Sequence, residues 1–194
     1  DAIKIPKPNP AYVPGEQGDA DVSPSIDEDF APKPAGEVVF CTNFSDYTRA
    51  FGTHSNDGGQ NVLTHAVRGF FDNGGARCYV VRVKTAARVS ADALEKFEAI
   101  DDINMVAAPG LDDADWAKLT THCEKMGDRV AILDSKADQA PGPSTTVPPA
   151  SNYAAFYTPW LQVFDPATKT RDPNSDGTIS AVSYTHLTLP TIGC

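Results

Sequence analysis

The chain is 194 residues long and 41% hydrophobic, with 26 acidic residues against 16 basic ones and a formal net charge of −10. This length accommodates one ordinary α/β domain, or one domain with a long appendage. The Lys and Arg cluster that a phosphate backbone requires is missing, which excludes nucleic acid as an expected partner, and no apolar run approaches the roughly 18 residues of a membrane span.

In chain order, residues 1–37 are rich in proline, acid and glycine. Repeated X-Pro pairs disfavour helix, and few apolar side chains are available to offset the ordering entropy, so an extended or loosely ordered arm or insertion is expected. The chain opens at Asp1 without a methionine and with no secretory pattern, so processing or a missing beginning is expected. Residues 37–42 (EVVFCT) read as a short strand. Ser45 is the expected N-cap of a brief helix ending at Phe51-Gly52, and residues 55–59 read as loop.

Residues 60–73 place Val62, Leu63, Ala66, Val67, Phe70 and Phe71 at helical spacing, and Asn73-Gly74-Gly75 supplies the stop. Residues 78–83 follow as a nearly continuous apolar strand, the pattern of burial on both faces. A helix over 90–100 turns Leu94, Phe97 and Ile100 inward, and residues 103–107 form the next strand, closed by Pro109-Gly110. Asp112 is the expected cap of a helix over 113–126 whose acidic first turn suits the macrodipole. Its buried stripe is Trp116, Leu119, Cys123 and Met126. Strands are expected at 129–134, 153–157 and 160–164, with a proline-rich loop over 135–151 and a turn region over 167–181. Alternating helices and strands imply an α/β fold with a mainly parallel sheet flanked by helices. The first packed layer is expected at Val67, Phe70, Phe71, Val81, Trp160 and Leu161.

No residue is assigned a catalytic, cofactor-binding or metal-binding role. Cys41, Cys78, Cys123 and Cys194 form no C-x-x-C pair and read as thiols of a reducing cytoplasm. His65 lies two helical turns from Asp72, beyond hydrogen-bond reach, and reads as a helix-surface residue. His54 and His122 stand without a partner at a meaningful spacing. Gly74-Gly75 follows a helix instead of opening one, the wrong order for a phosphate cradle. Asp172, Asn174, Asp176 and Gly177 match the first half of a calcium loop, but Ser183 stands where a bidentate glutamate belongs, so a polar turn is the simpler reading. Asp112, Asp113 and Asp134 could form an acidic metal site at the strand ends of an α/β enzyme, although caps and solvated turns account for them. A non-catalytic interaction module is a further alternative.

Five blocks carry a resemblance: residues 43–52 (NFSDYTRAFG), 63–83, 100–109 (IDDINMVAAP), 129–134 (RVAILD) and 153–166 (YAAFYTPWLQVFDP). In this order they resemble the sheath proteins of contractile phage tails and related bacterial injection machines. The resemblance implies an incomplete central α/β domain over 38–166, helical self-assembly around an inner tube protein, and contact with baseplate components. It implies neither catalysis nor a cofactor nor membrane insertion, and it places the protein in a virion tail, or in bacterial cytoplasm before release. The family's glycine-rich opening and carboxyl-terminal domain are not in this sequence. Residues 182–191 (VSYTHLTLPT) resemble a translated sequencing adapter, so a non-native tail is expected over 182–194, and His186 and Cys194 are given no functional weight.

Overall fold

The computed structural model describes residues 2–14, 22–83, 89–110, 113–136, 142 and 145–181. Asp112, Ser183, His186, Cys194 and the adapter-like segment lie outside them.

Where an arm was expected, Ile3–Pro8 (β1) and Ser25–Phe30 (β2) pair as an antiparallel ribbon, Ile3 opposite Phe30 and Pro8 opposite Ser25. The backbone is extended, as X-Pro pairs require, but the segment is anchored: Ile3 and Ile5 are buried. They reach Gly52, where a Cβ would lie 2.8 Å from the tip of Ile3 and 3.0 Å from the ring of Phe30. Gly52 also has φ +85°, so this closing residue is fixed both by backbone and by space.

Val38–Cys41 (β3) leads into helix Phe44–Phe51 (α1). The cap is Asn43, not Ser45: its extended backbone lets Oδ1 accept the Asp46 amide at 2.9 Å, while Asp46 Oδ2 accepts the Thr42 amide at 3.0 Å. Helix Gly58–Asp72 (α2) begins inside the expected loop because Asp57 Oδ1 accepts the Gln60 amide at 2.8 Å. It ends at Asn73, with Gly74 at φ +90°.

Cys78–Val81 (β4) pairs antiparallel with β3, Cys41 opposite Cys78. The expectation that it joins a parallel sheet, buried on both faces, is therefore corrected: only Val80 is fully buried, and Val81 is half-buried. On the face of the ribbon away from Val80, Phe40 is exposed, whereas Tyr79 opposite it is half-buried against the core that includes Trp116 and Leu119.

After helix Ala91–Glu98 (α3), capped by Ser90, come Met105–Ala107 (β5), helix Asp113–Met126 (α4), Val130–Asp134 (β6) and Ala154–Tyr157 (β7). The order β5-β6-β7 is parallel throughout, giving a mixed α/β architecture with a three-stranded parallel sheet flanked by helices. Trp116, Leu119 and Cys123 of α4 pack on Val106, Ala131 and Leu133, with Leu94, Phe97 and Ile100 closing the margin. Leu119 and Leu133 are fully buried, each contributing on the order of 2 kcal/mol of apolar transfer. The second core joins Cys41, Tyr47, Ala50, Phe51, Val67 and Val80. Of the six residues expected in the first packed layer, Val67 is buried, whereas Phe70, Phe71, Val81, Trp160 and Leu161 are half-buried.

The chain then forms Leu161–Phe164 (β8), helix Pro166–Arg171 (α5) and Thr178–Ala181 (β9), with β8 and β9 antiparallel. Helix α5 falls within the expected turn region. Asp165 caps it and Pro166 occupies its first turn, a combination that starts a helix where proline alone suggests a stop. Among the described residues no helix is long and apolar enough to cross a membrane.

Candidate functional site

Helix α2 turns a polar face inward. Gln60, Asn61, Thr64 and His65 are all buried, one turn apart in pairs, beside Ala66 and Val67. Two hydrogen-bond networks neutralise the cost of burying them. In the first, Gln60 Nε2 donates to the Phe51 carbonyl and the Tyr47 hydroxyl, both at 3.0 Å, and Tyr47 meets Thr64 Oγ1 at 3.0 Å. Burial pushes the Tyr47 phenol well above its ordinary range, outweighing the hydrogen bonds from Thr64 and Gln60.

The second network converges on Asp165, which is 1% exposed. Its Oδ1 accepts from Asn61 Nδ2 at 3.1 Å and from His65 Nε2 at 3.0 Å. Its Oδ2 accepts from the Thr168 amide at 2.8 Å and the Thr168 hydroxyl at 2.6 Å. Burial by itself raises the Asp165 pKa, but the bonds from His65, Thr168 and Asn61 together outweigh it and hold the carboxyl well below the usual range. An ionised carboxylate only accepts, so His65 Nε2 carries the hydrogen. Asn61 Oδ1 accepts the Ser55 amide at 3.2 Å, fixing the loop between α1 and α2 to the same centre.

His54 completes the cluster. Its ring meets that of His65 at a centroid distance of 4.6 Å, edge to face, and its Nδ1 lies 3.3 Å from Thr53 Oγ1. Burial, followed by the adjacent His65, lowers its pKa from 6.5 to about 4. His54, His65 and Asp165 each present one ligand-type atom, all within 4.8 Å of one another.

Two expectations are thereby overturned. His65 is not on the helix surface but buried, with Asp165 as its partner, while Asp72, which the spacing puts beyond its reach, binds Arg68 at 2.6 Å in solvent. His54 does not stand alone. The sequence does contain one usable signal, Asn61 and His65 at i, i+4 on one helical face, which the exposed Arg68 and Asp72 continue towards the end of α2, but a count of apolar residues passes over it. His122 is also buried, with Nδ1 3.8 Å from Glu98 Oε1 and Nε2 without a hydrogen-bond partner.

The strand-end acids are separate from this cluster. Asp113 pairs with Lys136 at 2.7 Å in solvent, and Asp134 is buried, accepting the Gly110 amide at 3.4 Å. The half calcium loop closes on a cation of the chain itself. Lys169 Nζ donates to the carbonyls of Pro173 and Ser175, both at 2.7 Å, while Asp172 Oδ1 and Asp176 Oδ1 accept the amides of Asn174 and Thr178. A turn held by side chain–backbone bonds accounts for these residues. A shallow groove lined by Glu124 and residues 150–153 opens to solvent, and in it Glu124 accepts from the Ser151 hydroxyl at 2.7 Å.

Compared with protein-family models and with curated proteins, the chain matches none.

Proposed function

We propose that this chain is part of the structural subunit of a contractile tail sheath, which polymerises helically around an inner tube and contracts to drive that tube through a target envelope. The observation that carries the reading is the order of the five blocks between Asn43 and Pro166, which resemble that family. They coincide with α1, with α2 through β4, with β5, with β6, and with β7 through the start of α5.

The character of the buried polar groups is consistent with this role. Tyr47, Gln60 and Thr64 bind one another, and Arg129 donates to the Phe97 and Ile100 carbonyls at 2.9 and 3.4 Å. Such groups brace a rigid building block. In a contracting sleeve the subunits stay rigid and change partners, so two packings of the same unit must differ in free energy at their interfaces. The inner tube and baseplate are then the partners, and the chain acts in a virion tail or gathers in bacterial cytoplasm before release.

The test is electron microscopy of the intact parent protein expressed with its neighbouring tube gene. Tubular sleeves in long and short forms are expected. Discrete monomers that turn over a small molecule, or contraction that requires ATP hydrolysis, would refute the proposal.

A further inference from the structure

We infer that His54, His65 and Asp165 form a binding site for a divalent transition-metal ion of the zinc class, which clasps three separate parts of the chain. His54 belongs to the link between α1 and α2, His65 to the middle of α2, and Asp165 to the turn between β8 and α5. Their convergence spans 100 residues of sequence at the His65–Asp165 contact. The inference is independent of whether the chain builds a sleeve.

Ligand chemistry selects the ion. Two imidazoles and one carboxylate suit zinc, cobalt or nickel, whereas calcium and magnesium prefer an all-oxygen shell. Tetrahedral bonds of about 2.0–2.1 Å put neighbouring ligand atoms roughly 3.3 Å apart. His65 Nε2 and Asp165 Oδ1 already lie 3.0 Å apart, and when the ion binds between them the hydrogen of the neutral imidazole moves from Nε2 to Nδ1, freeing the Nε2 lone pair. The widest separation in the trio is within 4.8 Å, so a rotation of the His54 ring that draws its donor in by at most about 1.5 Å completes three ligand positions. His54 has freedom to make that rotation, because it is only half-buried and its Nδ1 is held by a long 3.3 Å contact to the adjacent Thr53 hydroxyl.

The surrounding groups already orient the carboxylate. Thr168 holds Oδ2 with two hydrogen bonds and Asn61 steadies Oδ1, which is how outer partners fix the direction of a metal ligand. With three protein ligands, a tetrahedral ion keeps one position for water. The site is walled by α2 and the segment around α5, so the role assigned to the ion is to join elements.

Titration of the full chain with cobalt(II), followed by visible absorption and competition with zinc, tests the proposal. One ion per chain is expected, with the spectrum of nitrogen and oxygen ligands, and zinc should raise the thermal midpoint of unfolding. His54→Ala is expected to weaken binding at least roughly tenfold and to abolish the thermal shift, while His186→Ala leaves both unchanged. A thiolate charge-transfer band in the wild-type spectrum would place the ion on cysteines and overturn the site without recourse to any variant. Absence of saturable binding, or binding unchanged in a folded His54→Ala protein, would overturn it equally.

Discussion

Arg129 shows how much of this molecule rests on single buried side chains. Its side chain is 0% exposed, and its guanidinium binds Asp128 at 2.7 Å as well as the two carbonyls at the end of α3. Arg129→Ala would leave Phe97 and Ile100 carbonyls without their donor, and a loss of about 3 kcal/mol is expected in urea denaturation. His122, facing Glu98 of α3 and Lys125, Asp128 and Arg129 of its own region, makes a pH-dependent contribution. Burial, then the Arg129 charge, lowers its pKa from 6.5. A base whose folded pKa lies below its unfolded value binds fewer protons when folded. Stability is therefore lost as pH falls through 6.5, and the loss is complete below the folded pKa. His122→Gln should flatten the decline in denaturation midpoint between about pH 7 and pH 5. His54, shifted in the same direction, keeps part of the slope in that variant.

At the scale of elements, helix α4 follows the expected bounds, residues 113–126, because an acidic start and an apolar stripe agree over fourteen residues. The stop of α2 and the bounds of β6 follow similarly from local chemistry. Pairing partners do not. Strand β4 reads as a doubly buried strand from its apolar run alone, yet its register against β3 depends on residues forty positions away. Helix α5 has only six residues, too few for a periodic signal. The convergence of His54, His65 and Asp165 was equally hidden, since linear spacing rules out Asp72 as a partner of His65 and gives no indication of an aspartate 100 residues further on. The contact between the β1–β2 ribbon and Gly52 provides a test at this scale. Gly52→Ala combines a backbone conformation reserved for glycine with a Cβ placed 2.8 Å from Ile3, so a destabilisation of about 2 kcal/mol is expected. Hydrogen exchange should show protection lost first in the β1–β2 amides, because the displaced contact is theirs.

For the molecule as a whole, Asp165 links regions that no strand pairing connects. It caps α5, receives His65 and Asn61 from α2, and bonds through its amide to the Gly177 carbonyl at 2.6 Å. Asp165→Ala would leave buried donors on His65 and Asn61 and remove the cap, and a loss of about 3 kcal/mol is expected by urea denaturation. If the loss were under about 1 kcal/mol, the level of an exposed pair, α2 and α5 would have to be held by apolar contact alone.

The ribbon of β1 and β2 also rests on α5, where Asp27 meets Arg171 at 3.5 Å. On a ribosome, then, β1 and β2 cannot finish docking until α5, which begins more than 130 residues after β2 ends, has been made. At roughly 5–20 residues per second that delay is on the order of ten seconds, during which Ile3 and Ile5 have the Gly52 region but not α5 to shelter against. Nascent chains stalled before Pro166 should consequently expose this ribbon to a chaperone or protease, and those stalled well beyond Ala181 should hide it.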